Sequence, residues 1–406
     1  MTDGTNMVEH IKKFYEEMKH HKFCIYWDGS NPCLFVTDLE LIKKIQITDF
    51  DHFQDLGFVA QKYRKKVSLP FGLADTYGEE WKLLKRHMTP AFSGPKVKKA
   101  AKAVNEVSNK MTQYVEESLK KGEKLELTTV IQQFAMTTIA SVVFGIDINC
   151  FKDKNNEFMK QGDKVIDMYR FIGMEMFPSL MTWFKINLIH PGAEKFFTKL
   201  GENIVKQRKA STAEHNDVLH SLIKGSEEAP DVLTPYMMSQ TMNQFFADGY
   251  WTFTESYAGA FFLLATQPDI QVVHGWSYIA QEKLQEEVDA VMEGKAEVTE
   301  EDLREMPYLD QVLLDRTISD TPQVLSESLR IFGLPNTSRF CTKAYTIPGT
   351  KFTVPEGMKV MIPTSGLHSD PDLWTDPTTF NPDRFSSENK SKHFAGAYQP
   401  FGLGPK

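Results

Sequence analysis

Apolar residues recur three and four apart over Val130-Ile131-Phe134-Ala135-Thr138-Ile139, and again from Phe245-Phe246 to Leu264. That is the spacing of one face of a helix. This signal dominates from about Trp81 to Met292 and predicts a mostly helical stretch. After Phe340 it gives way to short runs separated by turn residues, Tyr345-Thr346-Ile347-Pro348-Gly349, Phe352-Thr353-Val354-Pro355-Glu356-Gly357 and Val360-Met361-Ile362-Pro363, which predict brief strands. Near the start, Ile25-Tyr26-Trp27 and Cys33-Leu34-Phe35-Val36-Thr37 flank Asp28-Gly29-Ser30-Asn31-Pro32 and read as a hairpin. Asp38 to Ile45 then has helical spacing. Helix-rich sequence with small sheets at both ends is a mainly α (α+β) design. No repeat of solenoid period and no low-complexity linker interrupts it.

Composition narrows the class without naming a chemistry. The 406 residues are 41% hydrophobic and 25% charged, which is globular rather than disordered or fibrous. A net charge of −8 gives no bulk attraction to nucleic acid. The four cysteines, Cys24, Cys33, Cys150 and Cys341, match neither a zinc spacing nor a dense disulfide framework, so a reducing compartment is expected. No run reaches the roughly 18 apolar residues of a membrane span, and the best, Tyr257 to Ala265, is about half that. Met1-Thr2-Asp3-Gly4 does not read as a signal sequence.

Three elements stand in a fixed order toward the end of the chain. Glu327-Ser328-Leu329-Arg330 places a carboxylate and a guanidinium three apart, on one helical face. Thr321-Pro322 upstream is a good N-cap and first-turn proline. Pro382-Asp383-Arg384-Phe385 follows, and Phe401-Gly402-Leu403-Gly404-Pro405-Lys406 begins a Phe-x-x-Gly-x-x-x-Cys pattern whose cysteine would fall at position 408. Together these resemble a cytochrome P450, and within that family the animal clan that oxidises drugs, hormones and foreign compounds. The resemblance runs from about residue 9 to residue 406 and implies the P450 fold as one domain over 1–406. It also implies haem, iron protoporphyrin IX, held by an axial thiolate supplied from position 408, so none of the four cysteines present is a metal ligand.

The resemblance also assigns roles. Glu327, Arg330 and Arg384 are expected to form a buried network that pins the segment beneath the haem, the planar guanidinium fork suiting two-directional contact with a carboxylate. Trp81 and Lys85, four apart, stand where relatives carry Trp-x-x-x-Arg and reach a haem propionate; the lysine keeps the charge but loses bidentate geometry. Arg339 matches a second propionate ligand, Lys406 takes the place of the haem-loop arginine, and Phe401 and Gly404 shape that loop. On the oxygen-binding side, relatives read (Ala/Gly)-Gly-x-(Asp/Glu)-Thr, the acid and threonine relaying protons. Here Asp248-Gly249-Tyr250-Trp251-Thr252 keeps Thr252 but puts Trp251 in the acid's place. An indole offers one N–H donor and no exchangeable acid. Asp248 and Glu255 lie one turn to either side, out of register.

The implied activity is monooxygenation of a small hydrophobic substrate with dioxygen and electrons from NADPH through a P450 reductase, on the cytosolic face of the endoplasmic reticulum membrane. Leu334-Pro335-Asn336-Thr337 would face substrate. The chain as given is expected to be truncated at both ends, without the usual anchor and the ligand cysteine, and inactive in that form. Two segments break the resemblance, 272–280 and 314–325, the second ending in a repeat of Gln311-Val312-Leu313 as Gln323-Val324-Leu325. They read as translated intron sequence in preference to lineage-specific surface loops. Two alternatives stay open: a hydroperoxide isomerase-type P450, suggested by Trp251, and a non-catalytic haem-free product of a defective gene model.

Overall fold

The fold is given by a computed structural model that describes residues 7–28, 31–56, 73, 76, 78–153, 156–165, 167–210, 218–266, 290–291, 323–386, 389 and 394–405. The chain segregates into two compact units, one of segments 21–254, 338–362 and 404–406, the other of 1–20, 255–337 and 363–403.

In the first unit the predicted amino-terminal hairpin is present. Strands β1 (Phe23–Asp28) and β2 (Asn31–Val36) pair antiparallel with Asp28 opposite Asn31. β3 (Thr337–Phe340), β4 (Tyr345–Thr346), β5 (Thr353–Val354) and β6 (Lys359–Ile362) come from the strand-rich region after the helices. They complete a four-stranded sheet of order β1-β2-β6-β3 and a two-stranded β4-β5 ribbon. β2 and β6 run parallel, with Leu34 opposite Val360. Both are buried throughout their apolar residues, as fits continuous rather than alternating hydrophobic strands. Lys359 reaches Asp28 at 2.7 Å across this sheet.

The helices of this unit are α2 (Leu39–Lys43), α3 (Gly78–Met88), α4 (Gly94–Lys120), α5 (Leu127–Ile139), α6 (Glu157–Gly162), α7 (Met168–Met176), α8 (Pro178–Trp183), α9 (Pro191–Ala210), α10 (Val218–Gly225) and most of α11 (Pro235–Thr266). Several starts follow from side-chain caps. Asp38 accepts from the Leu41 amide at 2.8 Å, and Asn156 from the Met159 amide at 2.8 Å. Leu84, Met136, Phe144, Phe158, Phe197, Phe246 and Tyr250 form the heart of the core. Phe158 meets Phe197 edge-on at 5.2 Å, an arrangement the ring quadrupole favours. Phe246 lies in this core with no exposed surface.

Among the described residues one helical window, Leu127–Phe144, is apolar enough on average to span a membrane, with mean hydropathy 1.4. Glutamines and threonines interrupt it, so no uninterrupted run shows by eye. Half of it is buried inside the unit, where Gln133 and Thr137 turn inward and the Thr137 hydroxyl donates to the Gln133 carbonyl at 2.7 Å.

The second unit contains α1 (Met7–Met18), the end of α11, α12 (Gln323–Phe332) and α13 (Thr364–Leu367). The Tyr15 hydroxyl donates to Asp370 at 2.7 Å, and Lys19 pairs with the same carboxylate at 2.9 Å. These contacts tie α1 to the segment after α13. The predicted cap Thr321-Pro322, the segment 272–280 and residues 314–322 lie outside the described residues. Gln323-Val324-Leu325, read as the end of an insertion, form the first turn of α12.

Candidate functional site

In the second unit the structure brings Glu327, Arg330 and Arg384 together. Their helical spacing and the turn at Pro382–Phe385 set the approach. Arg330 Nε donates to Glu327 Oε2 at 2.7 Å and Nη2 to Oε1 at 2.8 Å, a bidentate pair with both side chains fully buried. Arg384 Nε reaches Oε1 at 3.2 Å, and the Asn381 amide donates to the same oxygen at 3.0 Å. The remaining guanidinium edges are used on backbone. Arg330 Nη1 donates to the His368 carbonyl at 2.6 Å, while Arg384 Nη1 and Nη2 donate to the carbonyls of Thr375 and Asp376. Asp376 is held at φ 45°, an uncommon conformation for a residue with a side chain. A buried ion pair is tolerated when its other lone pairs and protons are satisfied, and here nearly every one is.

His368, Asn381 and the Thr375–Thr379 carbonyls were not evident from the sequence. Carbonyl acceptors leave no trace in residue type, and His368 sits between Leu367 and Ser369 with no recognisable spacing to a partner.

A second cluster lies in the first unit. Trp81 and Lys85 share a face of α3, the Lys85 ammonium standing 4.6 Å from the Trp81 ring centre. Arg339, on β3, is 5% exposed; its Nη2 donates to the Pro405 carbonyl at 3.2 Å and its guanidinium lies 5.1 Å over the Phe50 ring. Its Nη1 is buried and has no hydrogen-bond partner among the described residues. Burial pushes the Arg339 pKa down to about 10. Burial, with the positive charge of Arg339 as a lesser cause, lowers that of Lys85. Gly404 stands at φ +77°, and a β-carbon there would fall 1.9 Å from the Gln46 carbonyl oxygen, so only glycine fits. Phe401 is 56% exposed, and Lys406 lies outside the described residues.

On α11, Thr252 is exposed and its hydroxyl donates to the carbonyl of Asp248 one turn earlier. The Asp248 carboxylate accepts from Gln244 at 3.1 Å. Trp251 turns the other way and packs against the helical core. Cys341 is buried in the first unit and donates to the Lys343 carbonyl at 3.0 Å.

The Arg339 cluster has a definite chemical requirement. A buried guanidinium with an N–H unused among the described residues, beside a second cation, calls for an anion. A carboxylate-bearing prosthetic group meets that requirement, and haem carries two propionates. The family match agrees: the model of the family "Cytochrome P450" covers residues 2–406, and the chain belongs to that family.

Similar proteins include cytochrome P450 6B6 of Helicoverpa armigera, 29% identical over 99% of this chain and 77% of that one. Probable cytochrome P450 6a13 of Drosophila melanogaster is 30% identical over 95% and 74% of the two chains. Cytochrome P450 3A11 of Mus musculus is 28% identical over 96% and 74%. Membership makes this an enzyme of the haem-thiolate monooxygenase class, dependent on haem iron and on NADPH electrons passed by a reductase. Its animal relatives are typically microsomal membrane proteins.

Proposed function

We propose that the chain is a single P450 domain, interrupted at 272–280 and 314–325, that oxidises a small hydrophobic substrate with dioxygen and reductase-supplied electrons. The observation that carries this reading is the buried Nη1 of Arg339, without a hydrogen-bond partner among the described residues, beside Lys85. Arg339, Lys85 and Trp81 hold propionate oxygens in this reading, with Lys406 as a further cation. The bound haem supplies the oxidation chemistry. Glu327, Arg330 and Arg384 take no part in the reaction; they fix the segment from Thr375 to Phe385 in one conformation. Phe401 and Gly404 shape the loop whose register assigns the thiolate ligand to position 408, and activity requires that thiolate.

Thr252 is the residue of this chain that orients a proton on the oxygen side. Its hydroxyl hydrogen is directed at the Asp248 carbonyl, which leaves the oxygen lone pairs free to accept. Leu334, half exposed after α12, is a candidate substrate contact. Contact with the endoplasmic reticulum membrane is supported by the segment through α7 and α8, in which Tyr169, Phe177, Leu180, Trp183 and Phe184 are each exposed. A carbon monoxide difference spectrum of the reduced protein, carried through position 408, tests the haem-thiolate reading. A red-shifted Soret band is expected, and its absence in folded, haem-loaded protein would overturn it.

Trp251 in the place of the relay acid supports a second reading, rearrangement of a hydroperoxide without reductase or dioxygen. Turnover of a lipid hydroperoxide compared with turnover under NADPH and reductase separates the two, and the retained Thr252 favours the second condition.

A further inference from the structure

His368 is fully buried, stacked on Tyr398 at 5.5 Å and 24°, and closed edge-on by Trp374 at 6.4 Å. Its ring therefore has one available orientation, and both nitrogens are engaged. Nδ1 lies 3.2 Å from the carbonyl oxygen of Arg330. That carbonyl belongs to the last turn of α12, where helix carbonyls have no partner further along the helix. Nε2 accepts from the amide of Gln399 at 3.1 Å. A carbonyl can only accept and an amide N–H can only donate, so the partners fix the proton on Nδ1 and leave Nε2 as a bare lone pair.

Burial and the charges of Arg330 and Lys12 hold the imidazole neutral, its pKa pushed down to about 3. Protonated, it would lose the acceptor that Gln399 needs. Gln399 is 1% exposed, and its own carbonyl accepts from the Gly402 amide at 3.0 Å. The turn from 399 to 402, which delivers Phe401 into the haem loop, is thus anchored at its first amide by His368.

We infer that His368 is a positioning residue for the haem loop: its Nε2 accepts from Gln399 and holds the loop's register, while its Nδ1–H, given to Arg330, selects the tautomer that leaves Nε2 free to accept. This rests on the P450 reading of the loop, but the clasp itself does not. Two substitutions divide its halves. His368→Gln keeps an acceptor at the ε position, and His368→Asn keeps a donor at the δ position.

In the haem-loaded full chain, His368→Gln is expected to hold Gln399 amide exchange and haem retention within about twofold of wild type. His368→Asn should speed that exchange and lower haem retention by about tenfold, the factor for one lost hydrogen bond. Equal losses in both variants at matched chemical-denaturation midpoints overturn the inference. So does a nitrogen-15 imidazole spectrum of the wild-type protein that places the proton on Nε2, a measurement that needs no variant to fold. Failure of the wild-type protein to bind haem would sink the P450 reading of the loop, while the tautomer still decides the clasp.

Discussion

Two buried arginines, one in each unit, differ in how completely they are paired. Arg330 has its guanidinium matched to Glu327 on two atoms and to backbone carbonyls on the rest. Arg339 is comparably buried, yet its Nη1 has no hydrogen-bond partner among the described residues, and it has a lysine for a neighbour. Polar groups inside a protein cost free energy unless they are paired. The first site is complete as the chain folds, which fits a structural role. The second lacks an anion among the described residues, which supports the proposal that it holds a ligand.

The sharpest way to break this comparison is to unbalance the complete site. Glu327→Gln keeps the volume but leaves the guanidinium groups of Arg330 and Arg384 without their counter-charge. A loss of about 3–5 kcal/mol is expected in urea denaturation, with haem incorporation lost alongside. A stability change under about 1 kcal/mol would mean that the network is not structural.

Acid tests the same region through His368. Its pKa is lowered from 6.5 to about 3 by burial and by the charges of Arg330 and Lys12. The unfolded chain takes up that proton across this window and the folded chain does not. Stability present above pH 6.5 should therefore fall as pH drops toward 3, with this residue adding a slope of up to about 1.4 kcal/mol per pH unit. His368→Gln should flatten that component in a series of denaturation curves.

For the incomplete site the expectation reverses. Arg339→Met should leave the haem-free protein as stable as wild type or slightly more so, because an uncompensated buried charge is removed. Haem retention should fall about tenfold, as for one charge-assisted hydrogen bond of roughly 1.5 kcal/mol. The smallest effect belongs to Lys85→Arg, which restores a planar fork beside Trp81 and should tighten haem about two- to threefold in a competition with apomyoglobin.

Helical periodicity made the helix-rich interior and the terminal strands legible, and the three-residue spacing of Glu327 and Arg330 put them on one face. The four-residue spacing of Trp81 and Lys85 did the same for α3. Helical register, however, does not say which face turns inward. Trp251 proved to be on the core side, while Asp248 and Thr252 are exposed. The clasp at His368 depends on a carbonyl and an amide, which every residue possesses, so no residue pattern announces it. The missing partner of Arg339 is likewise a tertiary fact. A sequence can suggest that an arginine binds something, and only the folded surroundings show that one of its nitrogens has no partner among the described residues.

The most direct test titrates haem and haem dimethyl ester, in which both propionates are neutralised, into the haem-free wild-type protein and Arg339→Met. Wild type should prefer the free-acid haem by about tenfold or more, and the variant should lose most of that preference while remaining equally folded. Equal affinity of the wild-type protein for both porphyrins would contradict the assignment of Arg339 and its neighbours as an anion socket.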